Sequence, residues 1–239
     1  MQRGIVRLVL VGIEGEINLG FIARLAANFK VDEFYLVAPR ASPDSQEARR
    51  FAANGSYMLD KAIVVENLDE ALRGVDIAAC TSAKIGQRSD VIRHAVSARE
   101  FAEEIAPRYT RIGIVFGRES VGLTRDELTK CNLLVHIPAN PEYPVLNLSH
   151  AVGIVLYELW QSLHVVELHE KAPEKQLSYI YEKLEPLIDL VVDKERSQHV
   201  KAAIKHILWK SKITSGEASA LYYFAKKLRR LVEECVKRC

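Results

Sequence analysis

The sequence is short of the residues that mark several common protein classes. It has 4 cysteines in 239 residues, none in a CxxC pair and none with a histidine at metal-ligand spacing. A disulfide framework and a zinc site are therefore not expected, and a reducing, intracellular setting is the default. No apolar run approaches the roughly 20 residues that a membrane-spanning helix needs. Met1 to Gly12 reads as a strand rather than a secretory signal, because Arg7 interrupts it and no small-residue cleavage site follows. GxGxxG, GxxxxGK[ST], GxSxG and HExxH are all missing. This removes the standard dinucleotide-binding, P-loop, serine-hydrolase and zinc-protease readings.

What is present is enough apolar material for a core, with 49% hydrophobic and 27% charged residues. The length suits one large unit with an appendage, or two small domains. Net charge is only +2, but it is unevenly placed: from Lys194 to the end, 12 Lys and Arg stand against 4 Asp and Glu. Such a tail is either a solvated helical face or a surface that neutralises phosphates.

Hydrophobic periodicity predicts strands at 5–11, 33–38, 62–65, 75–80, 111–116 and 133–137. They alternate with helices at 17–29, 45–53, up to Leu72, and at 98–106, 124–130 and 148–163. Repeated β-α units of this kind predict an α/β fold, a mainly parallel sheet with helices on both faces. After residue 167 the pattern becomes helical only. Residues 168–176 read as a linker containing Pro173, and 177–239 as a small all-helical domain with helices at 177–192 (interrupted near Pro186), 196–210 and 216–236.

Ligands of such sheets bind beyond the carboxyl ends of the strands. Three loops there are rich in Gly, Asn, Ser and Arg: Gly12 to Gly20 leading to Arg24, Gly117 to Thr124, and Pro138 to Ser149; Thr81 to Gly86 is a weaker fourth. Each has a structural explanation by itself. Gly117 and Gly122 suit turns with positive φ, Gly20 suits close helix packing, and Arg118 with Glu119 suits a surface ion pair. Asn18 and Asn147 suit helix N-caps, and His150 suits helix packing. Their joint occurrence at strand ends argues for a site.

Asn18-Leu-Gly-Phe-Ile-Ala-Arg24, Val115-Phe-Gly-Arg-Glu-Ser-Val-Gly-Leu-Thr124 and Ile137-Pro-Ala-Asn-Pro-Glu-Tyr-Pro-Val-Leu-Asn-Leu-Ser149 resemble the three motifs of the SPOUT-class RNA ribose 2′-O-methyltransferases. The order is the same and the separations are similar, over about residues 1–165. Thr81-Ser-Ala83, the Phe-Gly-Arg-Glu form of the second motif and the Pro-Glu-Tyr segment most resemble the TrmJ-type enzymes, which methylate tRNA at anticodon-loop position 32, on cytidine and in some cases uridine.

The resemblance implies a C-terminal trefoil knot in the sheet domain, an exception to the rule that chains avoid knots. It also implies a cytoplasmic homodimer formed through the knotted region, with S-adenosylmethionine as cofactor and no metal or membrane. The cofactor site would comprise Thr81, Ser82, Ala83, Gly117, Ile137, Pro144, Val145 and Leu146. Arg24 would be the catalytic residue, with Asn18, Asn147, Ser149 and Glu119 beside it. One departure is Val145, where many relatives have Ser, so a mechanism needing that hydroxyl is not available here. Lys201, Lys205, Lys210, Lys212, Lys226, Lys227, Arg229 and Arg230 would form an RNA-binding face, helped by Arg40, Arg49, Arg50, Lys84 and Arg88. The alternatives are methylation of ribosomal RNA or of another tRNA site, and a non-catalytic RNA-binding dimer of the same fold.

Overall fold

The computed structural model describes residues 4–85, 94–164 and 171–236. Gly86 and Arg88 lie outside the described residues. The chain divides into two compact units, Met1–Val165 and Val166–Cys239.

The first unit runs β1 (Ile5–Val11), α1 (Glu16–Asn28), β2 (Glu33–Val37), α2 (Gln46–Ala52), α3 (Tyr57–Asp60), β3 (Ile63–Val65), α4 (Leu68–Leu72) and β4 (Ile77–Thr81). It continues with β5 (Ala95–Ser97), α5 (Ala98–Glu100), β6 (Arg111–Phe116), α6 (Arg125–Thr129), β7 (Leu133–His136) and α7 (Leu148–Leu163). The strands form one sheet of order β3-β2-β1-β6-β4-β7-β5, with every pairing parallel. All six predicted strands are present. The short strand β5 was not expected from the sequence: β3 is no longer but is all branched apolar residues, whereas Ala95-Val-Ser97 offers only one.

Strand β1 shows why its sequence is nearly continuous in apolar residues. Val6, Leu8 and Leu10 face one core with α1 and α7, while Val9 and Val11 face a second with α4 and α6. A strand covered on both faces has no solvent side to mark with polar residues. The exception, Arg7, is only 4% exposed. Its guanidinium binds Glu33 at 2.5 Å and the carbonyls of Ala71 and Arg73 at 2.7 and 2.9 Å. It also lies over the ring of Tyr35. A buried charge satisfied in this way is tolerated, and it sits at the amino ends of the strands, away from the loops of interest.

Two connections interleave. The chain from β4 to β5 steps across the position of β7, and the chain from β6 to β7 steps across β4. The segment predicted as one helix at 98–106 is α5 followed by a π-helical turn at Phe101–Ile105 and a 3₁₀ turn at Ala106–Arg108. Phe101 and Ala102 are buried there.

The cysteine expectation is corrected. Cys80, near the end of β4, and Cys131, just before β7, form a disulfide with Cα atoms 5.6 Å apart. Spacing in the sequence gave no hint of it, because the sheet order brings together residues 51 positions apart.

The second unit holds α8 (Glu174–Val191), α9 (Lys194–Lys210) and α10 (Ser215–Val236). α8 is not interrupted at Pro186. It gives up one backbone hydrogen bond there, while Leu187 and Ile188 beside the proline are buried. The core is small, centred on Ile180, Leu208 and Ala218. Thr214 caps α10 reciprocally: its amide donates to Glu217, whose own amide donates to the Thr214 hydroxyl.

Closing a loop of 51 residues removes about 4 kcal/mol of denatured-state entropy. Reduction, or Cys131→Ser, is expected to lower the Tm by roughly 10 °C. An unchanged Tm in reductant, with all 4 cysteines of the sequence alkylated without it, would show that the bond does not form.

Candidate active site

The carboxyl ends of β1, β4, β6 and β7 carry the four loops singled out above, so the parallel order gathers them at one edge of the sheet. Two structural systems organise them.

The first begins at Glu119, in the loop after β6. Helix α1 starts at Gly15, which has no side chain to cap the free amides of the first turn. Glu119 supplies the cap from a distant part of the chain. Its carboxylate accepts from the amides of Glu14 (2.9 Å) and Gly15 (3.0 Å) and from Asn18 Nδ2 (3.1 Å). An ionised carboxylate only accepts, which fixes the orientation of the Asn18 amide. Asn18 Oδ1 then accepts from Asn147 Nδ2 at 3.1 Å, and Asn147 Oδ1 accepts from the Ser149 amide (2.8 Å) and hydroxyl (2.7 Å). One polarised chain thus joins all three motifs. Glu14, which sequence reading did not single out, adds a second tie by accepting from Ser120 and Arg40.

Asn18 and Asn147 differ in local role. Asn147 is the N-cap of α7, as its position suggested. Asn18 lies inside the first turn of α1 and bonds across to the other loops. Glu119 pairs with no arginine among the described residues, and Arg118 turns instead to Glu127.

The second system surrounds Arg118. Its guanidinium makes two 3.0 Å bonds to Glu127, whose carboxylate also caps α6 with Thr124. Burial pushes the Glu127 carboxyl up, but the bonds from Arg118 and Thr124 outweigh it and hold the group below its ordinary value. The Arg118 guanidinium is raised, chiefly by its bond to Glu127. Gly12 has φ +62°, and a Cβ there would strike the Arg118 side chain. Gly122 has φ +72° as expected of a turn residue, but Gly117 does not. Its constraint is space, since a Cβ would run into the backbone of Gly122 and Leu123.

Asn18, Arg24, Asn147, Ser149 and His150 line one groove of about 830 Å³ between α1 and α7. Ser149 is buried, while the guanidinium-bearing Arg24 is exposed. His150 is also exposed on this groove rather than packed inside. Leu25 and the exposed large side chains Ile17, Phe21, Ile154 and Tyr157 give the groove its apolar wall.

Around the residues expected to hold a cofactor, Thr81 Oγ1 donates to the Val115 carbonyl at 2.9 Å and the Ser82 amide to the Val135 carbonyl at 3.1 Å. Ala83, Ile137, Pro144 and Leu146 are half-buried, Gly117 is buried, and Val145 is exposed.

A model of the family described as SpoU rRNA Methylase matches residues 5–157. The chain belongs to that family. It is a methyltransferase by this membership. The tRNA (cytidine-2′-O-)-methyltransferase TrmJ of Sulfolobus acidocaldarius is 41% identical over 225 residues, covering 93% of each chain. The tRNA (cytidine/uridine-2′-O-)-methyltransferase TrmJ of Pectobacterium atrosepticum is 38% identical, covering 83% of this chain and 78% of that one. Among solved structures, TrmJ from Z. mobilis ZM4 superposes with a TM-score of 0.61 at 25% identity, over 95% of this chain and 100% of the other. An AdoMet-bound rRNA methyltransferase from Sinorhizobium meliloti, at 24% identity and a TM-score of 0.57, shares the fold over 68% of this chain and 58% of the other.

In the second unit the basic residues are unequal. Lys201 is paired with Asp189 at 2.7 Å and largely covered. Lys205 lies over the rings of Tyr181 and Trp209, and Lys227 over Tyr223. Arg229 and Arg230 each bind a glutamate one turn on. Lys210, Lys212 and Lys226 are exposed. Lys183, Tyr222, Lys226, Arg229, Arg230 and Glu233 enclose a hollow of about 320 Å³ between α8 and α10. In the first unit Arg40 is tied to Glu14 and Arg49 to Asp44 and Asp60, while Arg50 and Lys84 are exposed.

Glu119→Gln keeps the shape but exchanges one acceptor oxygen for a donor. At least one of the three donors loses its partner, at a cost of about 1–3 kcal/mol. Methyl-transfer kcat is expected to fall at least tenfold while the Tm falls by only a few degrees; a variant with full kcat would show that the polarised chain is dispensable.

Proposed function

We propose that this chain transfers a methyl group from S-adenosylmethionine to the 2′-hydroxyl of a ribose in tRNA, at anticodon-loop position 32, with cytidine as acceptor and uridine as a second one. The observation that carries the reading is the bonded chain Glu119–Asn18–Asn147–Ser149, which leads into the groove holding Arg24. The names of the tRNA-modifying relatives support the substrate.

The residues assigned to the cofactor suit it. The end of β4 at Thr81 and the two residues after it are held by the Thr81 hydroxyl and the Ser82 amide, and Ile137, Pro144, Val145 and Leu146 offer apolar surface to an adenine ring and a methionine chain. When bound, the cofactor supplies an electrophilic methyl on a sulfonium. The protein's task is to present the ribose hydroxyl and to manage its proton. Arg24 is a poor base, since a guanidinium keeps its proton at neutral pH. Its role is to hold the negative charge that grows on the 2′-oxygen, while the proton leaves to a phosphate or to water. Asn18 and Asn147, with their amides locked in one orientation, position that charge without reorganising. A splayed-out nucleotide is required, which fits an unpaired loop.

The same reading includes a homodimer. The exposed Ile17, Phe21, Ile154 and Tyr157 beside Arg24 form an apolar face that suits a second copy. It also includes a trefoil knot, supported by the two interleaved connections of β4 to β5 and β6 to β7. Residues 1–167 are the catalytic domain, 168–176 a linker and 177–239 an RNA-binding domain, in a cytoplasmic protein. Within that last domain the α8–α10 hollow gathers Lys183, Lys226, Arg229 and Arg230 and suits a phosphate backbone.

The test is methylation of unmodified tRNA by the purified protein, with the product nucleotide mapped. Methyl at ribose 32 supports the proposal; methyl elsewhere, or none, overturns it. In the same assay Arg24→Lys keeps the charge but loses the planar fork. It is expected to lower kcat at least a hundredfold while cofactor binding persists, and wild-type turnover would remove Arg24 from the mechanism.

A further inference from the structure

The end of β7 carries a side chain that neither the three motifs nor the Glu119 network uses. The Nδ1 of His136 lies 3.0 Å from the carbonyl oxygen of Ser82. A carbonyl oxygen only accepts, so Nδ1 carries a proton and donates, whether the ring is neutral or charged. The contact falls where the backbone ladder between β4 and β7 stops. The last paired residues are Thr81 and Val135, and the Ser82 amide still reaches the Val135 carbonyl at 3.1 Å. One step further the strands part, and the imidazole supplies the donor that the backbone no longer provides.

The segment so held is Thr81–Ala83, the last residue of β4 and the two that follow it. The Thr81 hydroxyl ties its first residue to β6 at the Val115 carbonyl, 2.9 Å away and two residues before Gly117. His136 ties its second residue to β7, directly before Ile137. The two ties join the carboxyl ends of β4, β6 and β7, the three strands whose following loops are assigned to the methyl donor.

We propose that His136 is a positioning residue of the methyl-donor pocket: its Nδ1–H fixes the Ser82 carbonyl and so sets the Thr81–Ala83 segment against Ile137. The inference rests on the reading of these loops as the donor site. It adds a residue outside the family motifs, and it assigns the work to one ring nitrogen. In His136→Asn the amide nitrogen stands near the place of Nδ1; in His136→Gln it stands near the place of Nε2. His136→Ala removes both.

The experiment is titration calorimetry of the full chain with S-adenosylmethionine for wild type and the three variants, alongside Tm, tRNA affinity and kinetics at varied donor concentration. His136→Ala and His136→Gln are expected to weaken donor binding about tenfold, the loss of one well-made hydrogen bond. The rise should appear in KM for the donor, with kcat at saturating donor and tRNA affinity preserved. His136→Asn should stay within about threefold of wild type. Donor affinity unchanged in His136→Ala overturns the inference. So does rescue by Gln rather than Asn, or an equal loss in all three variants accompanied by a lowered Tm. If wild type itself binds no donor, it is the donor-site reading that fails, and the inference falls with it. Should His136→Ala not fold, the Asn and Gln pair still decides.

Discussion

One carboxylate takes three donors from the opening turn of α1, and the bonded chain that leads to the Arg24 groove depends on it. Glu119 reaches Glu14, Gly15 and Asn18 from a loop about a hundred residues away in sequence. The free amides at a helix start carry partial positive charge, so an anion is the natural cap. Because this cap cannot donate, it also dictates which way two neighbouring amides point. The asparagines thereby act as fixed dipoles rather than adaptable ones. A preorganised site of this kind stabilises a developing charge without first having to turn its own dipoles.

The loops proposed to hold the methyl donor are built on different physics. There the backbone and close packing matter more than polar side chains: Gly117 is set by the nearness of Gly122 and Leu123, and Gly12 by Arg118. Arg118 is in turn held by a glutamate that caps α6. The Cys80–Cys131 bond lies beneath the same region, joining the end of β4 to the residue that precedes β7 by two positions. The two halves of the site are braced separately and meet where the loops after β1 and β6 touch.

Much of this was legible in the sequence, and the omissions have physical causes. Five of the six strands could be read because nearly continuous apolar residues fill two covered faces; β3, with Ile63 and Val64 exposed, could be read from its run of branched apolar side chains, and β5, Ala-Val-Ser, has no such run. The residue types of the site could be read, but their bonding could not. Asn18 reads as an N-cap because caps are local, whereas its partners Glu119 and Asn147 are brought in by the sheet order. Arg118 and Glu119 are adjacent and of opposite charge, which suggests a pair, yet each has a stronger partner elsewhere. Lys201 reads as one more basic surface residue until Asp189 is found against it. The disulfide was missed for the same reason, since contact between β4 and the chain before β7 follows from topology and not from spacing.

The order of the strands also bears on how the chain is made. Among the described residues β5 has β7 as its one neighbour in the sheet, and β7 lies between β4 and β5. A growing polypeptide that has released β5 must therefore keep it waiting, unpaired, until residues 133–136 emerge. β4 likewise remains without either of its neighbours until β6 has been synthesised. Contacts so distant along the chain form slowly. During that interval the nascent protein exposes strand edges that other chains could capture. Rapid synthesis at high concentration thus carries a hazard for this architecture that a fold assembled from local hairpins would not face.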